Sequence, residues 1–163
     1  MGIINNQKNI AKEVRVRIRR FTVMFLTLIC LSMAFVGCNI AKDKAAAENV
    51  TKIYFDQVKD KNYDKVLEIC SDKLFEKTKR EEYIEMLKTI NKKLGDLKSY
   101  NLESWKIDSH IGTSSSGTYY YLTYKVEYSK YSAKEQFTLF TPKGTEEIKL
   151  IQYNINSDGL LKE

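Results

Sequence analysis

This 163-residue chain is poor in the residues that most metal and nucleophile chemistry needs: it has one histidine, His110, and three cysteines. One His with so few thiols falls short of the usual four-ligand zinc site. No Asp-x-Asp-x-Asp-Gly run frames calcium; Asn156-Ser157-Asp158-Gly159 matches only part of such a loop and reads as a turn. Phosphate-cradling glycines are missing too, because Gly112 and Gly117 bracket serines with no Lys or helix after them. Ser114, Ser115 and Ser116 have no partner arrangement that would activate a nucleophile. No cofactor and no metal is therefore expected. Neither an internal repeat nor a domain linker interrupts the chain. Its one long apolar stretch, residues 21–36, would rise only ~24 Å as a helix, against a hydrocarbon core of roughly 30 Å.

What is there begins with an address. Lys8, Lys12, Arg15, Arg17, Arg19 and Arg20 face the single acid Glu13, a local charge of +5. Cations there hold that end in the cytoplasm while the apolar stretch enters the bilayer. Only Thr22, Thr27 and Ser32 are polar between positions 21 and 36. A basic end, a short apolar run and then Gly37-Cys38 is the layout of a secretory signal. Phe35-Val36-Gly37-Cys38 resembles the lipobox of bacterial lipoproteins, with Phe35 where that pattern usually has Leu. The resemblance implies cleavage between Gly37 and Cys38 and a lipid, such as palmitate, on the Cys38 thiol. The alternative is an uncleaved anchor that happens to contain Cys38. Met1-Gly2 does not signal myristoylation, since position 6 is Asn6 rather than Ser or Thr.

The expected organisation is a signal peptide over 1–37, a short polar tether over 38–44 and one domain over 45–163. Cutting before Cys38 leaves 126 residues, enough for one core. The full chain is +6, but the leader holds +5 of it, leaving 21 bases against 20 acids. The basicity belongs to the leader, and a nucleic-acid partner is not expected of a near-neutral domain. Cys30 leaves with the leader and Cys38 takes the lipid, so Cys70 is alone and forms no intramolecular disulfide. Beside Leu67 and Leu74 it reads as a small buried hydrophobe.

Periodicity places the elements. Ala46, Val50, Ile53, Tyr54, Gln57 and Val58 recur at helical spacing, predicting a first helix from about residue 45. Asn62 is placed to cap a second helix, whose inner face would carry Tyr63, Val66, Leu67 and Cys70. Thr78-Lys79-Arg80-Glu81 reads as a capping box for a third helix over 79–94. Its stripe is Tyr83, Ile84, Leu87, Ile90 and Leu94, with Met86 near the edge and Gly95 as the left-handed stop. From Leu97 the period becomes two. Tyr100 and Leu102 alternate on one parity, Trp105 and Ile107 on the other, which predicts a bulge near Glu103-Ser104. Tyr120, Leu122, Tyr124, Val126 and Tyr128 form one face of a second strand. Phe137 and Leu139 mark a third, ended by Pro142-Lys143-Gly144. Ile148 and Leu150 open a fourth, which changes parity at Ile151, Tyr153 and Ile155.

The expected fold is α+β, with three helices packed on one face of an antiparallel sheet of about four strands. The element order resembles the cystatin-like superfamily, especially its nuclear-transport-factor-two-like branch. So does the text Phe55-Asp56-Gln57-Val58-Lys59-Asp60-Lys61-Asn62-Tyr63-Asp64, followed by Lys93-Leu94-Gly95 and Tyr153-Asn154-Ile155-Asn156-Ser157. That resemblance, over about residues 45–161, implies a strongly curved sheet wrapped round the helices as a cone with a pocket. Members of the branch include isomerases, dehydratases and inert binding modules, so the fold leaves function open.

Chemistry is sparse on the domain. Asp108 and His110 share a face of a regular strand, so the carboxylate could raise imidazole basicity in a general base. A solvated polar tip is the alternative. Trp105, Tyr120 and Tyr124 lie where a curved sheet could aim rings into a pocket, although tyrosine also simply favours half-buried strands. The leading expectation is a non-enzymatic lipoprotein on the extracytoplasmic face of a bacterial cell membrane. There it would bind a small ligand or an envelope protein. The rival is an isomerase- or hydratase-like pocket enzyme using Asp108-His110, or a buried carboxylate with a tyrosine. A homodimer paired through the sheet is the third.

Overall fold

The computed structural model describes residues 40–76, 78–112 and 116–162. The leader, its cut at Gly37-Cys38 and the lipid on Cys38 lie outside the described residues. No described helix is long and apolar enough to cross a membrane. Residues from Lys44 onward form one unit.

Helix α1 covers residues 40–59 and is already helical through 40–44, ahead of the periodic stretch. Its buried positions are Ala47, Thr51, Tyr54, Phe55 and Val58, whereas Ala46 and Ile53 are exposed. The inner stripe is thus rotated from the one apolarity alone predicts. Thr51 can replace Ile53 inside because its hydroxyl is satisfied: it bonds Glu48 O at 3.0 Å and the Tyr124 hydroxyl at 2.6 Å. The helix stops where Lys61 takes the left-handed conformation, φ 60°, and Asn62 N–H closes onto Gln57 O.

The second helix is shorter than predicted. Helix α2, Tyr63–Val66, is one turn, followed by 3-10 turns at Leu67–Ile69 and Asp72–Phe75. Asn62 does sit at the N-cap, but its side chain makes no capping bond; its carbonyl accepts from Lys65 instead. Cys70 has left the helix for extended backbone, paired in parallel with Leu150. It is buried, as expected, and donates to Val66 O at 3.2 Å. Burial pushes its thiol up to about 12, which leaves it protonated and unreactive.

Helix α3, Arg80–Leu94, starts one residue later than the predicted box. Lys79, not Thr78, is the N-cap, and the Glu82 carboxylate, not that of Glu81, accepts from its N–H at 3.3 Å. Lysine has no side-chain acceptor, so only this returning half of the box can form. Tyr83, Leu87, Ile90 and Leu94 are buried, and the helix ends at Gly95 with φ 89°.

Strands β1 (Leu97–His110), β2 (Gly117–Tyr128), β3 (Ser132–Pro142) and β4 (Lys149–Asn156) form an open antiparallel meander in that order. A one-turn helix, α4 (Asp158–Leu161), follows where the sequence suggests a plain turn, with the Ser157 hydroxyl accepting from Gly159 N–H. Both parity changes in the sequence are register shifts: Leu102/Ser104 opposite β2, and a step opposite Thr138/Leu139 that leaves Ile151 extra in β4. A further shift lies between Leu97 and Ser99. Helices α1 and α3 pack on the sheet face that carries Tyr124, Phe137 and Tyr153. Phe55 stacks on Tyr100 at 4.1 Å, Tyr54 meets Phe137 edge-on at 4.9 Å, and Tyr83 meets Tyr153 at 6.3 Å. The architecture is α+β, a four-stranded antiparallel sheet with helices.

Candidate functional site

Helical spacing brings Ala45, Glu48, Asn49 and Lys52 onto one edge of α1. There they face Tyr100, Asn101 and Leu102 of β1 and Tyr124 of β2 across an open groove of about 440 Å³. That volume falls in the range of small-molecule sites. The groove lies beside the β1 bulge at Leu102/Ser104, which alters the strand's course where it borders α1.

Its floor is fixed and its rim is polar. The buried Tyr124 hydroxyl is held by Thr51 Oγ1 at 2.6 Å, and burial pushes the phenol up to about 12, so it stays protonated. Tyr100 lies half-buried against Phe55 and is raised likewise by burial. On the rim, Lys44 pairs with Glu48 at 2.5 Å and Lys52 with Asp56 at 2.6 Å. Two amides, an ion-paired carboxylate and an ion-paired ammonium thus surround an apolar patch of Tyr100 and Leu102. Such a lining offers hydrogen bonds and stacking to a small polar ligand, and nothing in it is poised as a nucleophile.

The sequence-selected aromatics divide. Tyr124 lines the groove. Tyr120 is buried in a tight cleft with Ala47, Ile107 and Leu122 and lines no open pocket there. Trp105 borders the same cleft at 43% exposure, with the Lys44 ammonium 5.6 Å from its ring centre. The three do not form one pocket.

Asp108 and His110 share a strand face, and each has a neighbour other than the other. Asp108 receives Lys106 Nζ at 2.5 Å, and the exposed His110 ring stands edge-on to Tyr119 at 5.2 Å. One oxygen of the carboxylate that would orient such a base, Oδ2, is taken by that lysine. In the nearby loop, Ser116 is spent on closure, accepting from Gly112 N–H and donating to Gly112 O. Among the described residues, no group of three or more His, Cys, Asp or Glu could hold a metal ion.

The most perturbed acid escaped the sequence reading. Glu135 on β3 is fully buried; Tyr128 donates to Oε1 at 2.6 Å and Tyr153 to Oε2 at 3.0 Å. Burial pushes its carboxyl up to about 7, although both phenol bonds pull it down. Burial likewise raises the phenols of Tyr54, Tyr83, Tyr128 and Tyr153, which therefore remain donors. Tyr83 is the odd one: its hydroxyl is near that of Tyr54 yet meets no partner in hydrogen-bonding geometry. Packed rings enclose the group, so a solute reaches Glu135 only if the core opens. The signal was legible in principle: Glu135 has the parity of Phe137 and Leu139, the strand's inward face.

No protein-family model, curated protein or solved structure matches this chain.

Proposed function

We propose that the chain is a bacterial lipoprotein, cut between Gly37 and Cys38 and lipidated on the Cys38 thiol. Its α+β domain is then held on the extracytoplasmic face of the cell membrane as a non-enzymatic binding module. One observation carries this reading: the basic end, the short uncharged apolar run and Gly37-Cys38 follow each other in export order. The curved, cone-like form of the cystatin-like superfamily belongs to the same proposal. It is supported by the helices on one sheet face and by the register shifts in β1 and β4, since bulges bend the strands that carry them.

The groove between α1 and the β1–β2 hairpin is the binding site in this reading. A held Tyr124 hydroxyl and a polar rim round an apolar patch support recognition without chemistry. Against an isomerase- or hydratase-like enzyme stand the Lys106–Asp108 ion pair, the exposed His110 and the enclosure of Glu135.

Labelling of expressing cells with a palmitate analogue tests the anchor. The parent chain takes the label and Cys38→Ala does not; equal labelling of both overturns it. Mass spectrometry of small molecules co-purifying with the full chain tests the groove. Leu102→Trp, which fills it, should lose whatever the parent retains.

A further inference from the structure

A second cleft, about 510 Å³, opens where the C-terminal end of α3, the β2–β3 turn and α4 meet. Lys92, Lys93, Lys130 and Lys162 line it with Thr89, Tyr131 and Gly159, and no carboxylate does among the described residues. Elsewhere on the domain many basic side chains are paired with acids. Among the described residues, nine ion pairs join lysine or arginine to a carboxylate, and none of them involves these four lysines. Asp96, the acid next to Gly95 at the end of α3, is taken by Lys61 at 2.9 Å. A near-neutral domain thus sets four lysines that belong to none of those pairs round one concavity.

Two of the ammonium groups are held in place by the backbone. Lys93 Nζ donates to Leu160 O at 2.9 Å and Lys162 O at 3.2 Å, and Lys130 Nζ donates to Lys92 O at 3.0 Å. Such bonds complement the negative ends of α3 and α4, and they explain why a lysine stands at 93 and at 130. They do not explain Lys92 or Lys162. Neither caps a carbonyl, and Lys162 lies over the Tyr131 ring with Nζ 4.9 Å from its centre. An ammonium has three donors, so Lys93 keeps one and Lys130 two for a guest.

We propose that this cleft binds a phosphate group, carried either by a soluble phosphoester or by an anionic lipid headgroup. Lysines meet the oxygens of a phosphate as point charges, and four cations on one concave surface, two of them held by the backbone, raise the local concentration of anions. The site is distinct from the groove on α1, and it stands whether or not Cys38 is lipidated.

The test uses the full chain in zwitterionic detergent micelles, following backbone amide resonances by NMR. Titrants are inorganic pyrophosphate and, separately, phosphatidylglycerol added to the micelles. Saturable shifts are expected at residues 92–93, 130–131 and 159–162, weakening as salt rises. Lys92→Ala with Lys162→Ala removes no capping bond and should weaken binding about tenfold or more. Lys59→Ala with Lys143→Ala, which removes equal charge outside the cleft, should leave binding within about twofold of the parent. Response to pyrophosphate shows that a soluble phosphate anion suffices; response to the lipid alone assigns the site to headgroups. Equal weakening by both double variants, shifts scattered over surface lysines, or no saturation with either titrant would overturn the proposal.

Discussion

Asp108 and Glu135 lie in one sheet, two strands apart, and show how little sequence adjacency says about chemistry. Asp108 has the only imidazole of the chain two residues away, yet its carboxylate is taken by Lys106 on the open face. Glu135 has no basic partner; two phenols from β2 and β4 hold it in the core, where loss of water raises it to about 7. The first is partly open to solvent and the second is fully buried. The acid that looks catalytic is half of a surface ion pair, and the acid that looks ordinary is a buried polar keystone.

Replacement of Glu135 by Ala should break this contrast most severely. It strands two buried hydroxyls and opens a cavity, and should cost about 3 kcal/mol or more in urea denaturation at pH 6. Glu135→Gln keeps an acceptor and should cost closer to ~1 kcal/mol. If the two variants cost the same, the phenol bonds carry no weight.

The next effect is on pH. Because the folded carboxyl titrates near 7, above its ordinary 4.5, the native state keeps a proton that the unfolded chain has already lost. This contribution is fully present below pH 4.5 and is lost as pH rises through 7. It amounts to about 3 kcal/mol over that span. Urea midpoints taken between pH 4 and 8 should show the decline in the parent and its disappearance in Glu135→Gln.

Smaller changes sharpen the comparison. Tyr128→Phe removes the shorter bond and should cost about 1–2 kcal/mol, and Tyr153→Phe about 1 kcal/mol. Each should move the carboxyl's titration upward, which carbon-13 NMR of Glu135 can follow. Asp108→Asn and His110→Ala should leave the denaturation midpoint unmoved. A loss at Asp108 comparable to that at Tyr128 would erase the distinction between the two acids.

Much of the fold was legible because periodicity reports burial directly. The parity change between Leu102 and Trp105 corresponds to the register shift in β1, and the Gly95 stop to the end of α3. Burial follows partners as well as apolarity, and there the reading failed. Thr51 went inside and Ile53 outside because Tyr124, 73 residues away, supplies the hydrogen bond. Glu135 was missed for the same reason, since its two partners come from other strands. The groove joins α1 to a hairpin some fifty residues downstream, and no local pattern announces such a meeting. Of its lining, only Tyr124 was selected from sequence.

Gly95 has one more consequence. A Cβ there would sit 2.1 Å from the Ser129 hydroxyl, at a φ that side chains rarely adopt. That hydroxyl accepts from Asp96 N–H, while Ser129 N–H and Lys130 N–H donate to Asp96 O and Leu94 O. Helix end and hairpin turn are therefore stitched to each other across more than thirty residues of chain. A lineage that replaced Gly95 would have to rebuild the turn in the same step, so the two segments should drift together or not at all.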